Sequence, residues 1–134
     1  MNKLMRTIFL LILLVGGCSN FSNMKQMNMF DEVTASFKDS MHWSDFETAN
    51  RLRNDALTES NPPDFKKLKN VRVTSYEVKQ IIPMDNKLKV HQVVEINYYK
   101  TDNMIEKTLT YDQLWEYDAE NESWSLKSRL PDFK

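Results

Sequence analysis

Leu88-Lys89-Val90-His91-Gln92-Val93-Val94-Glu95-Ile96-Asn97-Tyr98 is the stretch that sets the fold class. Leu88, Val90, Val94, Ile96 and Tyr98 alternate with Lys89, His91, Glu95 and Asn97, the two-residue period of a strand with one buried face. Downstream, Ile105, Leu109, Tyr111, Trp115 and Tyr117 run opposite Glu106, Thr108, Thr110, Asp112 and Glu116, and Trp124, Leu126, Ser128 and Leu130 form a last alternation. Upstream, Tyr76, Val78 and Ile82 alternate with Glu77 and Lys79, while Val71 and Val73 keep the opposite phase. That change of phase predicts a bend or bulge near Thr74-Ser75. The connections Asp85-Asn86, Asp102-Asn103 and Glu120-Asn121-Glu122 are short enough for consecutive antiparallel hairpins.

Before the strands the period is helical. Met27, Phe30, Val33, Phe37 and Met41 recur at three- and four-residue spacing among Asp31, Glu32, Lys38 and Asp39, which predicts a helix over 25–41. Ser44-Asp45-Phe46-Glu47 has the form of a capping box and predicts a second helix to about Leu57, carried by Phe46, Ala49, Leu52 or Arg53, and Ala56. Asn61-Pro62-Pro63 then breaks the chain, and Asp64 is placed to cap one short turn through Leu68. The expected architecture is α+β: two N-terminal helices on one face of a four-stranded antiparallel meander, within a single domain over 25–134. Pro131 suits the end of an edge strand.

Composition excludes several chemistries. The two glycines are Gly16 and Gly17, so the chain after them lacks the glycine-rich dinucleotide fingerprint, the phosphate-binding loop and the glycine-flanked nucleophile elbow. Asn and Asp must then supply the left-handed turn positions. Cys18 is the one cysteine and His42 and His91 the two histidines, so there is no zinc spacing, and neither a metal nor another cofactor is expected. A formal charge of −1 without a basic block gives no footprint for nucleic acid.

The amino-terminal stretch carries Lys3 and Arg6, then the apolar run Ile8 to Val15, then Gly16-Gly17-Cys18 and the polar Ser19-Asn20. A basic segment followed by a short apolar one matches a secretory signal. A membrane-spanning helix would need about 20 apolar residues. A plain signal cleaved nearby and an uncleaved anchor are the competing readings. Val15-Gly16-Gly17-Cys18 resembles the lipobox of bacterial lipoproteins. The resemblance implies cleavage between Gly17 and Cys18, so that 1–17 is a signal peptide, and a diacylglyceryl thioether with a further acyl chain on Cys18. It also implies, through Ser19, sorting to the outer membrane on its periplasmic side. Residues 18–24 would form a lipidated tether reaching about 20 Å if extended.

Trp43-x-Asp45-Phe46-Glu47-x-Ala49, Trp115-x-Tyr117 and Trp124-x-Leu126-x-Ser128-x-Leu130-Pro131 resemble segments of small bacterial lipoproteins whose domain is similar to the cone-shaped nuclear transport factor two-like fold. The resemblance covers about 25–133 and implies a pocket inside a curved sheet, although that fold has more strands than the four counted here.

Two functional classes follow. The first is a lipid-anchored envelope protein, held to the membrane through Cys18, that binds a protein partner of the envelope or a small ligand. Its binding candidates are Trp43, Tyr99 and Trp115, because Tyr and Trp dominate interface hot spots; packing in the core is the competing role for the aromatics. The alternative is a small hydrolase or isomerase using His42, which Asp39 and Asp45 flank, or Asp112 on the polar phase of the third strand. Against that, His42 suits a helix cap and Asp112 a solvated strand face. His91 reads as a solvated or paired surface residue.

Overall fold

The computed structural model describes residues 18–53 and 62–134, with the side chains of 18–21 excepted. The leader 1–17, with Gly17, and the expected second-helix residues 54–57 lie outside the described residues. The described chain is α+β, with helices α1 (Cys18–His42), α2 (Phe46–Arg51) and α3 (Phe65–Leu68) ahead of strands β1 (Val71–Met84), β2 (Lys89–Lys100), β3 (Lys107–Asp118) and β4 (Ser123–Leu126). The strands form one antiparallel sheet in the order β1-β2-β3-β4.

Helix α1 begins at Cys18 rather than at residue 25, and so runs through the stretch read as a tether. The stretch has neither glycine nor proline, and Thr34 and Ser40 turn their hydroxyls back to the carbonyls of Phe30 and Ser36, so the short polar residues do not interrupt it. Phe30, Phe37 and Met41 are fully buried, with Met27 and Val33 packed at the edge of the core.

The end of α1 changes the reading of the next cap. Ser44 is left-handed, with φ 57°. Asp45 N–H donates to Ser40 O at 2.8 Å and Ser44 N–H to Met41 O at 3.0 Å, the pair of bonds of a Schellman ending. A residue in that conformation cannot also be the extended first cap of α2. Asp45 takes the role instead, its carboxylate accepting from Thr48 N–H at 3.1 Å. Ser44 Oγ accepts from Val73 N–H and ties the helical junction to β1. Asp64 caps α3 as expected, accepting from the N–H groups of Lys66 and Lys67.

The sheet keeps the expected faces on β2 and β3, but Ile82, expected in phase with Tyr76, lies on the outer face of β1 opposite His91. Val90, Gln92, Val94, Ile96 and Tyr98 of β2 are buried, as are Tyr111, Gln113 and Trp115 of β3, all toward the helices. On the outer face Lys89, Glu116 and Lys127 form ion pairs, Lys79 bridges Glu77 and Glu95, and Thr108 bonds to Asn97. One side is therefore dry and the other wet. The register shifts between Val73 and Ser75, where the phase change pointed, and a second time between Val78 and Gln80.

Three details differ from the sequence reading. Ile105 is exposed before β3, its N–H held by the Asn103 side chain. Strand β4 stops at Leu126: Lys127 N–H still donates to Leu114 O, but Leu114 N–H is taken by Ser128 Oγ, so the ladder ends there and Pro131 lies in a tail rather than an edge strand. Among the described residues the left-handed ones are Ser44, Asp85, Asn86, Lys87, Met104 and Glu122. Asn and Asp supply only two of these; Ser44 closes a helix, and Lys87, Met104 and Glu122 stand in hairpin connections, whose closure imposes the angle on whatever residue is there.

Candidate functional site

The molecule has two unlike ends. The aromatic rings of α1 locate them: Phe37 packs on Tyr76 and Trp115, Phe30 on Trp115 and Trp124. Trp124 Nε1 donates to Gln26 O at 2.9 Å, and Lys25 pairs with Glu122 at 3.7 Å. The Cys18 end of α1 therefore lies beside the β3–β4 turn. Met84 pairs with Lys89 and Lys89 with Glu116, so the β1–β2 turn lies at this end too. At the opposite end are the close of α1, the β2–β3 turn and the tail after Leu130.

The far end holds a cleft of about 690 Å³. Pro62, Pro63, α3, the start of β1, the end of β2 and the tail enclose it. Phe133 is anchored below, against Phe46 and Tyr98, and Tyr98 Oη donates to Lys134 O at 2.9 Å. Lys67, Lys100 and Arg129 line the cleft together with Asp64, Asp102 and Asp132. Cations and carboxylates in equal number suit a ligand or chain segment bearing both signs. Sequence reasoning missed this cleft; its only trace was the Pro62-Pro63 break and Pro131, which mark the walls but not that they meet.

The sequence-named residues are not brought together. His42 and Trp43 stand exposed at the close of α1, ring centroids 5.5 Å apart, with Trp43 79% exposed. Asp112 lies on the outer face of the sheet, where its carboxylate is 3.3 Å from His91 Nε2. The sheet separates Asp112 from the helical layer that carries His42. Tyr99 is half-buried on the outer face. Trp115 is fully buried between Phe30 and Phe37, so it has no surface to offer a partner, which corrects its place among the binding candidates. Cys18 is part of the α1 backbone.

The buried polar groups serve the core. Gln113 Nε2 donates to Tyr76 Oη at 2.7 Å, and its Oε1 accepts from Trp115 Nε1 at 2.9 Å. Tyr111 Oη donates to Arg129 O. Burial pushes the Tyr76 phenol up to about 12, against a smaller opposing effect of the Gln113 bond, and burial pushes Tyr111 up as well. Both are neutral phenols at physiological pH. Among the described residues the buried polar side chains are Ser40, Arg53, Gln92 and Gln113, with no carboxylate or imidazole. The described residues contain no cluster of three metal-ligating side chains, and none of their helices is long and apolar enough to cross a membrane.

No family model matches the chain, and no curated protein or solved structure shows significant similarity to it.

Proposed function

We propose that the chain is a bacterial envelope lipoprotein, cleaved after Gly17 and held by acyl chains on Cys18, whose domain binds a partner close to the membrane. The observation that carries this reading is the succession Lys3, Arg6, Ile8 to Val15, Gly16-Gly17-Cys18, in which the small residues give both processing enzymes access to the backbone beside the sulfur. Two or three acyl chains hold a protein durably at a bilayer, whereas one does not. Ser19 favours the outer membrane and its periplasmic side.

In this reading the mixed-charge cleft at the far end receives an extended segment of an envelope protein or a small ligand, and the exposed Trp43 stands at the same end as an aromatic anchor. The finer architecture we favour is α1 and α2 against a sheet that the two bulges of β1 curve into a shallow cone. The hydrolase or isomerase alternative would need an acid or base sheltered in a pocket. Neither of its candidates, His42 and Asp112, is buried.

The test is the intact mass of the protein recovered from bacterial membranes. The expected mass lacks residues 1–17 and carries the lipid on Cys18, and Cys18→Ala abolishes both changes. An unmodified Cys18 in the wild-type protein overturns the reading.

A further inference from the structure

Five exposed apolar residues share one hairpin at the Cys18 end, while Trp43, Met104 and Ile105 are exposed singly at the other. Val78, Ile81, Ile82 and Met84 of β1 and Leu88 after the turn are each between 37% and 50% exposed, although β1 is buried at its other end through Val71, Val73 and Tyr76. Helix α1 covers only that other end, since it crosses from β4 beside Trp124 to β1 beside Tyr76. Register places the exposed residues on both faces of the hairpin. Ile81 pairs with Gln92 on the helical face, whereas Ile82 pairs with His91 and Met84 with Lys89 on the outer face.

Three features select the occupant. A protein partner that added a strand would need the free edge of β1, and that edge is guarded by bulges at Thr74 and Lys79 and by Pro83. A rigid partner surface would cover one face of the hairpin, but a fluid apolar medium receives both. Finally, Cys18 is only eight residues of α1 from Gln26, about 12 Å of helix. An anchor so near keeps the hairpin end turned toward the bilayer.

We propose that the β1–β2 hairpin tip, Val78 to Leu88, is a second membrane contact that dips into the lipid headgroup region beside the Cys18 anchor. This rests on the lipoprotein reading. Ile81, Ile82, Met84 and Leu88 enter the boundary between headgroups and acyl chains, where apolar side chains of interfacial segments sit. Lys79 and Lys89 beside them are already paired with Glu77, Glu95 and Glu116, so the contact rests on the apolar side chains and not on charge. The hairpin and the anchor together fix the orientation of the domain, with the mixed-charge cleft facing away from the membrane.

The test uses the full chain, processed in a bacterium, purified in detergent and reconstituted into vesicles of phosphatidylethanolamine and phosphatidylglycerol. Ile82→Cys, and separately Met84→Cys, carries an environment-sensitive fluorophore, the Cys18 sulfur being blocked by its thioether. Met104→Cys, exposed at the opposite end, is the reference. Spin-labelled acyl chains in the vesicles are expected to quench the two hairpin probes several-fold more than the reference. Equal quenching at both ends, with the lipid present on Cys18 by mass, overturns the proposal and leaves the anchor standing. A Cys18 without lipid removes the anchor reading and the proposal with it. A blue shift of the hairpin probes that grows with protein concentration in detergent, before vesicles are added, makes a second copy the occupant and also overturns the proposal.

Discussion

Trp115 Nε1 donates to Oε1 of Gln113 two residues earlier on the same strand, at 2.9 Å, in the interior of the domain. The amide group of Gln113 continues the chain of bonds to Tyr76 on β1. One side chain thus satisfies two buried aromatic polar groups, across three strands of the sheet, and both lose their partner if it is removed.

Gln113→Leu is therefore expected to destabilise the domain by about 2–4 kcal/mol, since it strands an indole N–H and a phenol in an apolar setting. Urea unfolding measures the loss. Adding Tyr76→Phe to that variant should recover part of it, because one stranded group disappears; strict additivity of the two substitutions would contradict the coupling.

Alkaline pH should act on the same network. The Tyr76 phenol lies at about 12 in the folded chain against the ordinary 10, so the folded state holds its proton more tightly. Its contribution is intact below pH 10 and is lost as pH rises from 10 through about 12. With roughly 1.4 kcal/mol per pKa unit, the expected loss is about 2–3 kcal/mol. Tyr111 shifts in the same direction and adds to the effect. Thermal unfolding followed from pH 9 upward should show the fall, and Tyr76→Phe should flatten it.

At the junction of α1 and α2 the cap is Asp45, not Ser44. Asp45→Ala should cost about 1 kcal/mol, the usual contribution of an N-cap. The bonds from Thr48 hold the Asp45 carboxyl below its ordinary value, so its contribution is present above pH 4 and fades as pH falls below that. If denaturant unfolding showed no cost for Asp45→Ala at neutral pH, the assignment of this cap would be wrong.

Met104 closes the β2–β3 connection with φ 58° while its side chain points into solvent. A left-handed conformation costs a residue with a Cβ about 1–2 kcal/mol, and glycine escapes it at some expense in unfolded-state entropy. Met104→Gly should raise stability by about 0.5–1 kcal/mol, read as a higher urea midpoint with an unchanged slope.

Much of the sheet was legible in the residue pattern. The alternation from Leu88 to Tyr98 marks β2 and its faces, and the phase break at Thr74 marks the first bulge, because a side-chain period of two records every residue that leaves the ladder. The second bulge at Lys79 was not legible: Val78 to Met84 is apolar on both faces, and a pattern without contrast carries no phase. Strand β4 was read too long for a related reason. Ser128 and Leu130 continue the alternation, but the Ser128 hydroxyl takes the Leu114 N–H that the next ladder bond would need, a side-chain choice that no alternation records.

The same division holds for the candidate sites. Trp115 and Trp43 look alike in sequence, yet one is sealed under Phe30 and Phe37 and the other projects from the close of a helix.

Sequence by itself determined the order of helices and strands, the faces of β2 and β3 and the lipobox resemblance at Cys18, all properties of residues close together in the chain. Only the tertiary structure decided that the first turns of α1 lie beside Trp124 and that the uncovered hairpin stands at the same end. It also decided that the two prolines and the tail enclose a cleft at the other. These depend on contacts between distant segments, such as Gln26 with Trp124, where the packing of large rings selects one crossing of helix over sheet and no local period records it.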